Sequence, residues 1–187
     1  MKKIPKIKTS KASLPANNIK TLCIDDAQLV FSFKYFHGES ISIEDFNNFH
    51  QDCLVAIASL KDFHESIANL SKLTVKEAFD VRTKKQLHLH PIENKAANRV
   101  SYILREGYGF PERLVDEFEN QYYEFASNNG QRVIAIRHDF VIEPLFLDPN
   151  HLVYNNSSKN RQNKLMYKTP SIFSPDAEEK LLDELTK

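Results

Sequence analysis

Arginine, histidine and tyrosine side chains in the second half of the chain have the chemistry needed for metal-independent cleavage of RNA. Such cleavage requires a base for the 2′-hydroxyl, an acid for the leaving oxygen and a cation that stabilises the charge developing on phosphorus. The candidates are Arg137, His138, His151 and Tyr154, with Lys164 and Tyr167 nearby in the sequence. Their order matches no nuclease motif. The structural alternative is a turn over 148–151 in which Asp148 accepts hydrogen bonds from its own backbone.

His88 and His90 are the candidate ligands for a metal ion, because residues two apart on a strand point to the same face. A site would need further ligands, for which Asp148, His138 and His151 are suitable types, although no spacing selects them. Histidines are also ordinary residues on the polar face of a strand. We therefore predict that the protein binds no metal and no cofactor.

Common catalytic motifs are missing from the sequence. It contains only 4 glycines, and none belongs to a phosphate-binding loop. It also lacks a nucleophile elbow and a clustered Cys/His zinc pattern. These observations favour a non-enzymatic function.

The net charge of zero hides a separation of charge along the chain. Residues 1–20 contain six lysines and no acid, and residues 155–173 contain four basic residues and no acid. Residues 21–154, in contrast, have a net charge of −7. This pattern predicts nucleic-acid binding by the basic segments, through counterion release. The predicted binding residues are Lys2, Lys3, Lys6, Lys8, Lys11, Lys159, Arg161, Lys164 and Lys168. The alternative is that these segments only increase solubility or fold back onto the acidic body.

The composition indicates one folded domain of ordinary size. The chain has 187 residues, of which 41% are hydrophobic. No apolar stretch is long enough to span a membrane, and no apolar run follows the basic N-terminus as in a signal peptide. Two cysteines cannot form a disulfide framework, so we expect a cytoplasmic protein without membrane contacts.

The first half of the chain contains signals for a hairpin and two helices. Strand-like residues at 19–24 and 29–36 flank two aspartates and predict a hairpin. Apolar residues at three- and four-residue steps predict a helix over 42–64, with its first residue as the N-cap. Cys53 lies on the apolar stripe of this helix, so we predict that it fills the core. A capping box at Thr74 begins a second helix.

The second half contains the clearest strand pattern. Residues 121–127, 131–137 and 140–147 predict a three-stranded antiparallel meander, with an Asn-Asn-Gly turn between the first two strands. Before it, residues 86–92 alternate as a short edge strand, and residues 95–105 are helical in character. A short helix starts near Pro111, where proline favours the first turn.

The order of these elements predicts an α+β fold. We expect an antiparallel sheet, built from the N-terminal hairpin and the C-terminal meander, with helices packed on one face. The predicted regions are a basic flexible arm (1–18), the α+β domain (19–154), a basic polar segment (155–173) and a C-terminal helix (174–187). The composition of the polar segment predicts that it is loose until a partner orders it.

Four short stretches carry a resemblance to known proteins. They are Phe31-Ser32-Phe33-Lys34-Tyr35, His90-Pro91-Ile92, Arg132-Val133 and Leu147-Asp148-Pro149-Asn150-His151-Leu152-Val153-Tyr154. With the Lys-rich N-terminus, they resemble a family of small uncharacterised bacterial proteins from about Leu29 to Tyr154. The resemblance implies no catalytic residue or ligand. The chain departs from that family in the residues that follow Tyr154.

Three hypotheses for function follow. The first is a non-enzymatic interaction module whose basic segments contact nucleic acid or a ribonucleoprotein. The alternative is a metal-independent endoribonuclease, similar to growth-inhibiting toxins. The third is an adaptor that binds only a protein partner, through its acidic body.

Overall fold

The computed structural model describes residues 23–126, 131–154 and 164–186. The predicted arm over 1–18, the Asn-Asn-Gly turn over 128–130 and the first part of the polar segment (155–163) lie outside the described residues. The helices are α1 (Cys53–Leu70), α2 (Val75–Ala78), α3 (Val81–Leu87), α4 (Asn94–Tyr102), α5 (Glu112–Phe118) and α6 (Ala177–Leu185), with a 3-10 turn at Ile24–Asp26 and a π-helical turn at Ile103–Gly107. The strands are β1 (Val30–Phe31), β2 (Ser42–Ile43), β3 (Phe46–Asn47), β4 (His90–Pro91), β5 (Tyr122–Ala126), β6 (Arg132–His138) and β7 (Val141–Asp148).

The main sheet has five strands in the order β1-β7-β6-β5-β4. Strands β5, β6 and β7 form the predicted antiparallel meander, and β4 is the predicted edge strand in a shorter form. Strand β1 lies at the other edge and runs parallel to β7, so the sheet is mixed rather than purely antiparallel. The predicted N-terminal hairpin is wrong, because residues 24–26 form a 3-10 turn and β1 pairs with β7.

Helices cover both faces of this sheet, which confirms the α+β class but corrects the expectation of a single covered face. Successive side chains of β6 point in opposite directions. Val133 belongs to the apolar cluster that contains Phe63 of α1. Ile134, its neighbour in the strand, belongs to the cluster that contains Val100 of α4 and Val115 of α5. The sheet therefore separates two hydrophobic cores.

The long helix predicted over 42–64 begins eleven residues later, at Cys53. The first residues of that range form a small antiparallel pair, β2 and β3, and Glu44 between them has a φ of 39°, outside the helical region. Asp52 begins the helix, since its side chain accepts a 2.9 Å hydrogen bond from the Val55 N–H. The buried position predicted for Cys53 is confirmed.

The described part of the polar segment packs against the body. Thr169 and His50 exchange backbone hydrogen bonds of 3.3 and 2.7 Å. The Asn47 side chain donates a 2.9 Å hydrogen bond to the Leu165 carbonyl, and the Ser171 N–H donates one of 2.7 Å to the Ser40 hydroxyl. Residues 164–173 are therefore part of the fold, which corrects the prediction that they are loose in the free protein.

The residues after β7 form the turn that the sequence analysis gave as the structural alternative to a catalytic site. The buried Asp148 carboxylate accepts 2.9 Å hydrogen bonds from the Leu152 and Val153 N–H groups. Asn150 joins this turn to the loop before α1, since its side chain donates a 2.8 Å hydrogen bond to the Phe49 carbonyl and one of 3.2 Å to Asn47 Oδ1. The turn therefore fixes the end of the sheet to the rest of the molecule.

We predict that Asn150→Ala lowers the free energy of unfolding by about 1–3 kcal/mol, because it leaves buried acceptors without their donor. Urea unfolding followed by circular dichroism measures the change. The control is Asn98→Ala on the exposed side of α4, which we expect to change stability by less than about 0.5 kcal/mol. Equal unfolding midpoints for the two variants would contradict the role given to Asn150.

Within the described ranges, none of the helices combines the length and the apolar character needed to cross a bilayer.

Candidate functional site

The four residues predicted for RNA cleavage do not form one site. Arg137 and His138 lie at the end of β6 that pairs with the start of β7. His151 and Tyr154 follow the other end of β7, and an eight-residue strand separates these ends by about 23 Å. The prediction that these four side chains act together is therefore wrong.

Arg137 has a structural role at its end of the sheet. Its guanidinium carbon lies 4.0 Å from the centre of the Phe79 ring and 5.6 Å from that of Tyr123. Its Nε donates a 2.8 Å hydrogen bond to the Asp139 carbonyl in the turn between β6 and β7. His138, the neighbouring residue, is exposed at the same turn.

The two histidines predicted as metal ligands do not share a strand face. His88 ends α3 in the left-handed conformation, with a φ of 47°, and only His90 lies in β4. Among the residues that the structure describes, no group of three or more His, Cys, Asp or Glu side chains could hold a metal ion. The geometry therefore gives His88 and His90 no metal site.

Instead, the sheet brings His90 together with a buried carboxylate. Glu124 of β5 lies opposite His90 of β4, and the His90 Nε2 is 2.8 Å from Glu124 Oε1. Arg132 of β6 places its Nε 3.5 Å from the same oxygen. The Tyr154 phenol, from the turn after β7, also interacts with this carboxylate. We call Glu124, His90, Arg132 and Tyr154 the Glu124 cluster.

Burial determines the electrostatics of the Glu124 cluster. Only 4% of the Glu124 side chain is exposed, and burial raises its pKa, although His90, Arg132 and Tyr154 each oppose the rise. Burial and the negative charge of Glu124 raise the pKa of the Tyr154 phenol well above its usual value. The cluster thus contains a carboxyl that takes up protons more readily than usual, a cation and two further groups able to donate hydrogen bonds.

An open pocket of about 510 Å³ adjoins the cluster, and Tyr154 belongs to both. The pocket lies beside the first two turns of α4, which contribute Lys95 and Arg99. Arg99 is fixed in place, since its Nε donates a 2.7 Å hydrogen bond to the Leu152 carbonyl and its guanidinium pairs with Asp45. Lys95 is exposed and remains at the pocket surface. The lining thus combines the aromatic side chain of Tyr154 with two cations and one acid, Glu93.

A basic surface lies next to the Glu124 cluster. Helix α3 presents Arg82, Lys84 and Lys85 and contains no acidic residue. His88, which ends the helix, has a lowered pKa because of burial first and then the positive charges of Arg132 and His90. The end of α3 lies close to the cluster, because His88 is only two residues from His90. We call Arg82, Lys84 and Lys85 the α3 basic surface.

The structure describes two of the residues predicted to bind nucleic acid, Lys164 and Lys168. The Lys164 Nζ donates a 3.0 Å hydrogen bond to the Asn150 carbonyl, so this lysine helps to hold the turn after β7. Lys168 is exposed. The remaining predicted residues, Lys2, Lys3, Lys6, Lys8, Lys11, Lys159 and Arg161, lie outside the described residues.

A comparison with protein families gives one match, to the family described as Uncharacterised protein UU032, over residues 32–179. The chain belongs to this family. The predicted resemblance to a family of uncharacterised proteins is confirmed, and the UU032 match continues past Tyr154, which corrects the departure expected there. No curated protein and no solved structure matches the chain.

In this member of the UU032 family, two of the four residues of the Glu124 cluster are not among the site residues predicted from the sequence. His90 and Tyr154 were assigned to two different candidate sites, whereas Glu124 and Arg132 were assigned to none. A signal was present, because Glu124 stands in the apolar strand sequence Tyr-Tyr-Glu-Phe-Ala. An acid on a buried strand needs a partner for its charge.

Proposed function

We propose that the protein is a cytoplasmic interaction module that binds nucleic acid or a ribonucleoprotein through positively charged segments. The separation of charge carries this proposal. The part of the chain from 21 to 154 has a net charge of −7, while residues 1–20 add six lysines without an acid. Cations that contact phosphates release counterions, and this release supplies most of the sequence-independent affinity for nucleic acid.

The α3 basic surface supports the proposal from within the folded body. Arg82 and Lys85 are exposed, and Lys84 is half-buried. An acidic body repels a polyanion except where its cations are concentrated. A nucleic acid held by the lysines of 1–20 would therefore meet the body most favourably at α3. The exposed Lys168 adds a cation from the polar segment.

The salt dependence of RNA binding tests this proposal. We expect the logarithm of the affinity of the full chain for a single-stranded RNA to fall linearly with the logarithm of the salt concentration. Removal of residues 1–20 should reduce the slope by up to about 4, since each phosphate contact contributes about 0.7. Lys84→Ala with Lys85→Ala should reduce it by about 1.4. Fluorescence anisotropy at several salt concentrations measures these slopes.

The control is a double variant with the same change of charge, Lys61→Ala with Lys72→Ala, in which both lysines are exposed and lie outside α3. It should leave the slope close to that of the full chain. The proposal fails if the full chain does not bind RNA or DNA, or if removing residues 1–20 leaves the slope unchanged. Recovery of one stoichiometric protein partner after nuclease treatment, without RNA binding, would instead favour an adaptor.

The Glu124 cluster favours a second candidate function, metal-independent cleavage of RNA, at a set of residues that shares only Tyr154 with the predicted one. The His90 side chain is 37% exposed and is held by the Glu124 carboxylate, so it can exchange a proton with substrate. Arg132 is the cation that would stabilise charge on phosphorus, and Tyr154 would donate a hydrogen bond from the pocket wall. The observation that supports this candidate is the convergence of these groups beside an open pocket.

If this candidate is correct, His90→Ala lowers the rate of RNA cleavage by about a hundredfold or more, because general acid–base catalysis contributes at least that much. The measurement is cleavage of a labelled RNA in the presence of a chelator. His138→Ala, at the opposite end of the sheet, is the control and should retain the full rate. RNA that stays intact with the unmodified protein would remove this candidate.

A further inference from the structure

A second pocket, of about 240 Å³, lies on the side of the sheet opposite the Glu124 cluster. It is formed between the first half of α1 and the start of β6, and Gln131, His50, Ser59 and Asp62 are its polar residues. Each of these four is at least nine-tenths buried. Val55 and Pro149 are among its apolar residues. We call it the Gln131 pocket.

Two buried polar atoms of the Gln131 pocket have no hydrogen-bond partner among the described residues. They are Gln131 Nε2 and His50 Nδ1, in residues that are only 6% and 2% exposed. The Ser59 hydroxyl donates to Gln131 Oε1, which fixes the amide so that its N–H groups stay available. Buried polar groups are normally paired, so two unpaired groups in one pocket indicate a ligand that pairs with both.

The charge state of the pocket restricts the chemistry of that ligand. Burial lowers the pKa of His50 to about 4, and the nearby Asp52 only partly opposes this, so the imidazole is neutral at physiological pH. Asp62 is the acidic residue of the lining, which makes the pocket unfavourable for a phosphate group. The ligand must therefore be an uncharged group that offers an acceptor to Gln131 and pairs with the neutral ring of His50.

A nucleobase meets these requirements. Each base carries hydrogen-bond donors and acceptors along one edge, and its flat faces suit apolar groups such as Val55 and Pro149. A volume of about 240 Å³ is large enough for one base with a few water molecules, each of which needs about 30 Å³. We infer that the Gln131 pocket binds a single base of the nucleic acid that the basic segments contact, an inference that rests on the proposed function.

Guanine is the base that we expect to bind most tightly. It presents the O6 acceptor next to N–H donors at N1 and N2, so Gln131 can donate to O6 while the neutral His50 Nδ1 accepts from one donor. The Asp62 carboxylate, whose two oxygens can accept several hydrogen bonds, can accept from the other. Adenine, cytosine and uracil each carry only one donor group along this edge. The pocket therefore gives base preference, whereas the lysines of 1–20 and the α3 basic surface give affinity without preference.

Binding of nucleosides to the full chain tests the inference separately from the proposed function, because nucleosides carry no phosphate for the basic segments. We expect guanosine to bind more tightly than the other three nucleosides in titrations followed by NMR. Gln131→Leu should weaken guanosine binding by about tenfold or more, the effect of losing one buried hydrogen bond. Gln86→Leu, at an exposed position of α3, is the matched control and should bind like the unmodified chain.

A second measurement does not depend on the folding of a variant. Guanosine added to the unmodified, ¹⁵N-labelled protein should shift the Nδ1 resonance of His50, because this atom gains a hydrogen bond. If no nucleoside binds and the His50 resonance does not move, the pocket holds only water and the inference fails, even if RNA binding is strong. If nucleosides bind but RNA does not, the proposed function fails and the pocket inference stands.

Discussion

Asp148→Ala lowers the free energy of unfolding by about 3–5 kcal/mol, the largest effect that we expect from a single substitution. The Asp148 side chain is fully buried and accepts hydrogen bonds from the N–H groups of Leu152 and Val153, with a further contribution from that of Asn150. Alanine would leave these donors buried without an acceptor, at about 1–3 kcal/mol each. The turn would then lose the conformation that places Tyr154 against Glu124.

Urea unfolding measures this effect. Asp148→Asn should lower the free energy of unfolding by less than Asp148→Ala does. The amide keeps one acceptor oxygen but directs an N–H₂ group toward backbone donors. The control is Asp116→Ala on the exposed side of α5, with an expected change below about 0.5 kcal/mol. If the free energy of unfolding of Asp148→Ala lies within about 0.5 kcal/mol of that of the unmodified protein, as is usual for surface substitutions, the turn does not depend on this carboxylate.

The second large effect is a loss of stability at mildly acidic pH that originates from His50. Its pKa is about 4 in the folded chain, because of burial, and about 6.5 when unfolded. A lowered pKa means that protons bind the unfolded chain more tightly, so acid favours unfolding. The contribution is fully present above pH 6.5 and falls as the pH decreases toward 4, by up to about 3 kcal/mol.

Comparison with His50→Gln isolates this contribution. The carboxyls of Glu124 and Asp148 have the opposite effect on stability in acid. Burial raises their pKa values, so they are easier to protonate in the folded chain and acid favours folding through them. They are present in both proteins, so the difference between the two stability profiles reports His50. We expect the gap in free energy of unfolding to narrow from pH 7 to pH 4.5. His64→Gln, at an exposed position of α1, should show no such narrowing, and a constant gap for His50→Gln would contradict the assignment.

Elements with local signals in the sequence were predicted well. The meander follows from alternation within β5, β6 and β7, and the capping box at Thr74 is present, with Glu77 bonded to the Thr74 N–H and hydroxyl. The start of α1 was wrong because Ser42 resembles an N-cap, and the competing signal at Asp52 was overlooked. Asn48 explains the difference, since its side chain bonds to the backbone of Ile41 and Glu39 and holds the loop before α1.

The candidate site was harder to predict, because it depends on which strands are neighbours. His90 and Glu124 meet only through the register of β4 on β5, and nothing local in either segment specifies that pairing. The same limit explains the error for His138 and His151, which are close in sequence but separated by the length of β7. Residue types thus indicated suitable chemistry, and the topology decided which residues share a site.

The short outer strands of the main sheet have a consequence for aggregation. β1 and β4 each contain two residues, and β4 includes Pro91, which has no N–H to offer a neighbouring chain. Beyond β1, the Ser32 and His37 N–H groups donate to the Ile142 and Leu145 carbonyls of β7.

This segment therefore shields the longest strand of the sheet from other molecules. A chain that lacked residues 23–37 would expose the free carbonyls and apolar side chains of β7 as a template for intermolecular strand pairing. The segment that carries β1 thus protects the molecule from fibrillar self-association, in addition to completing its sheet.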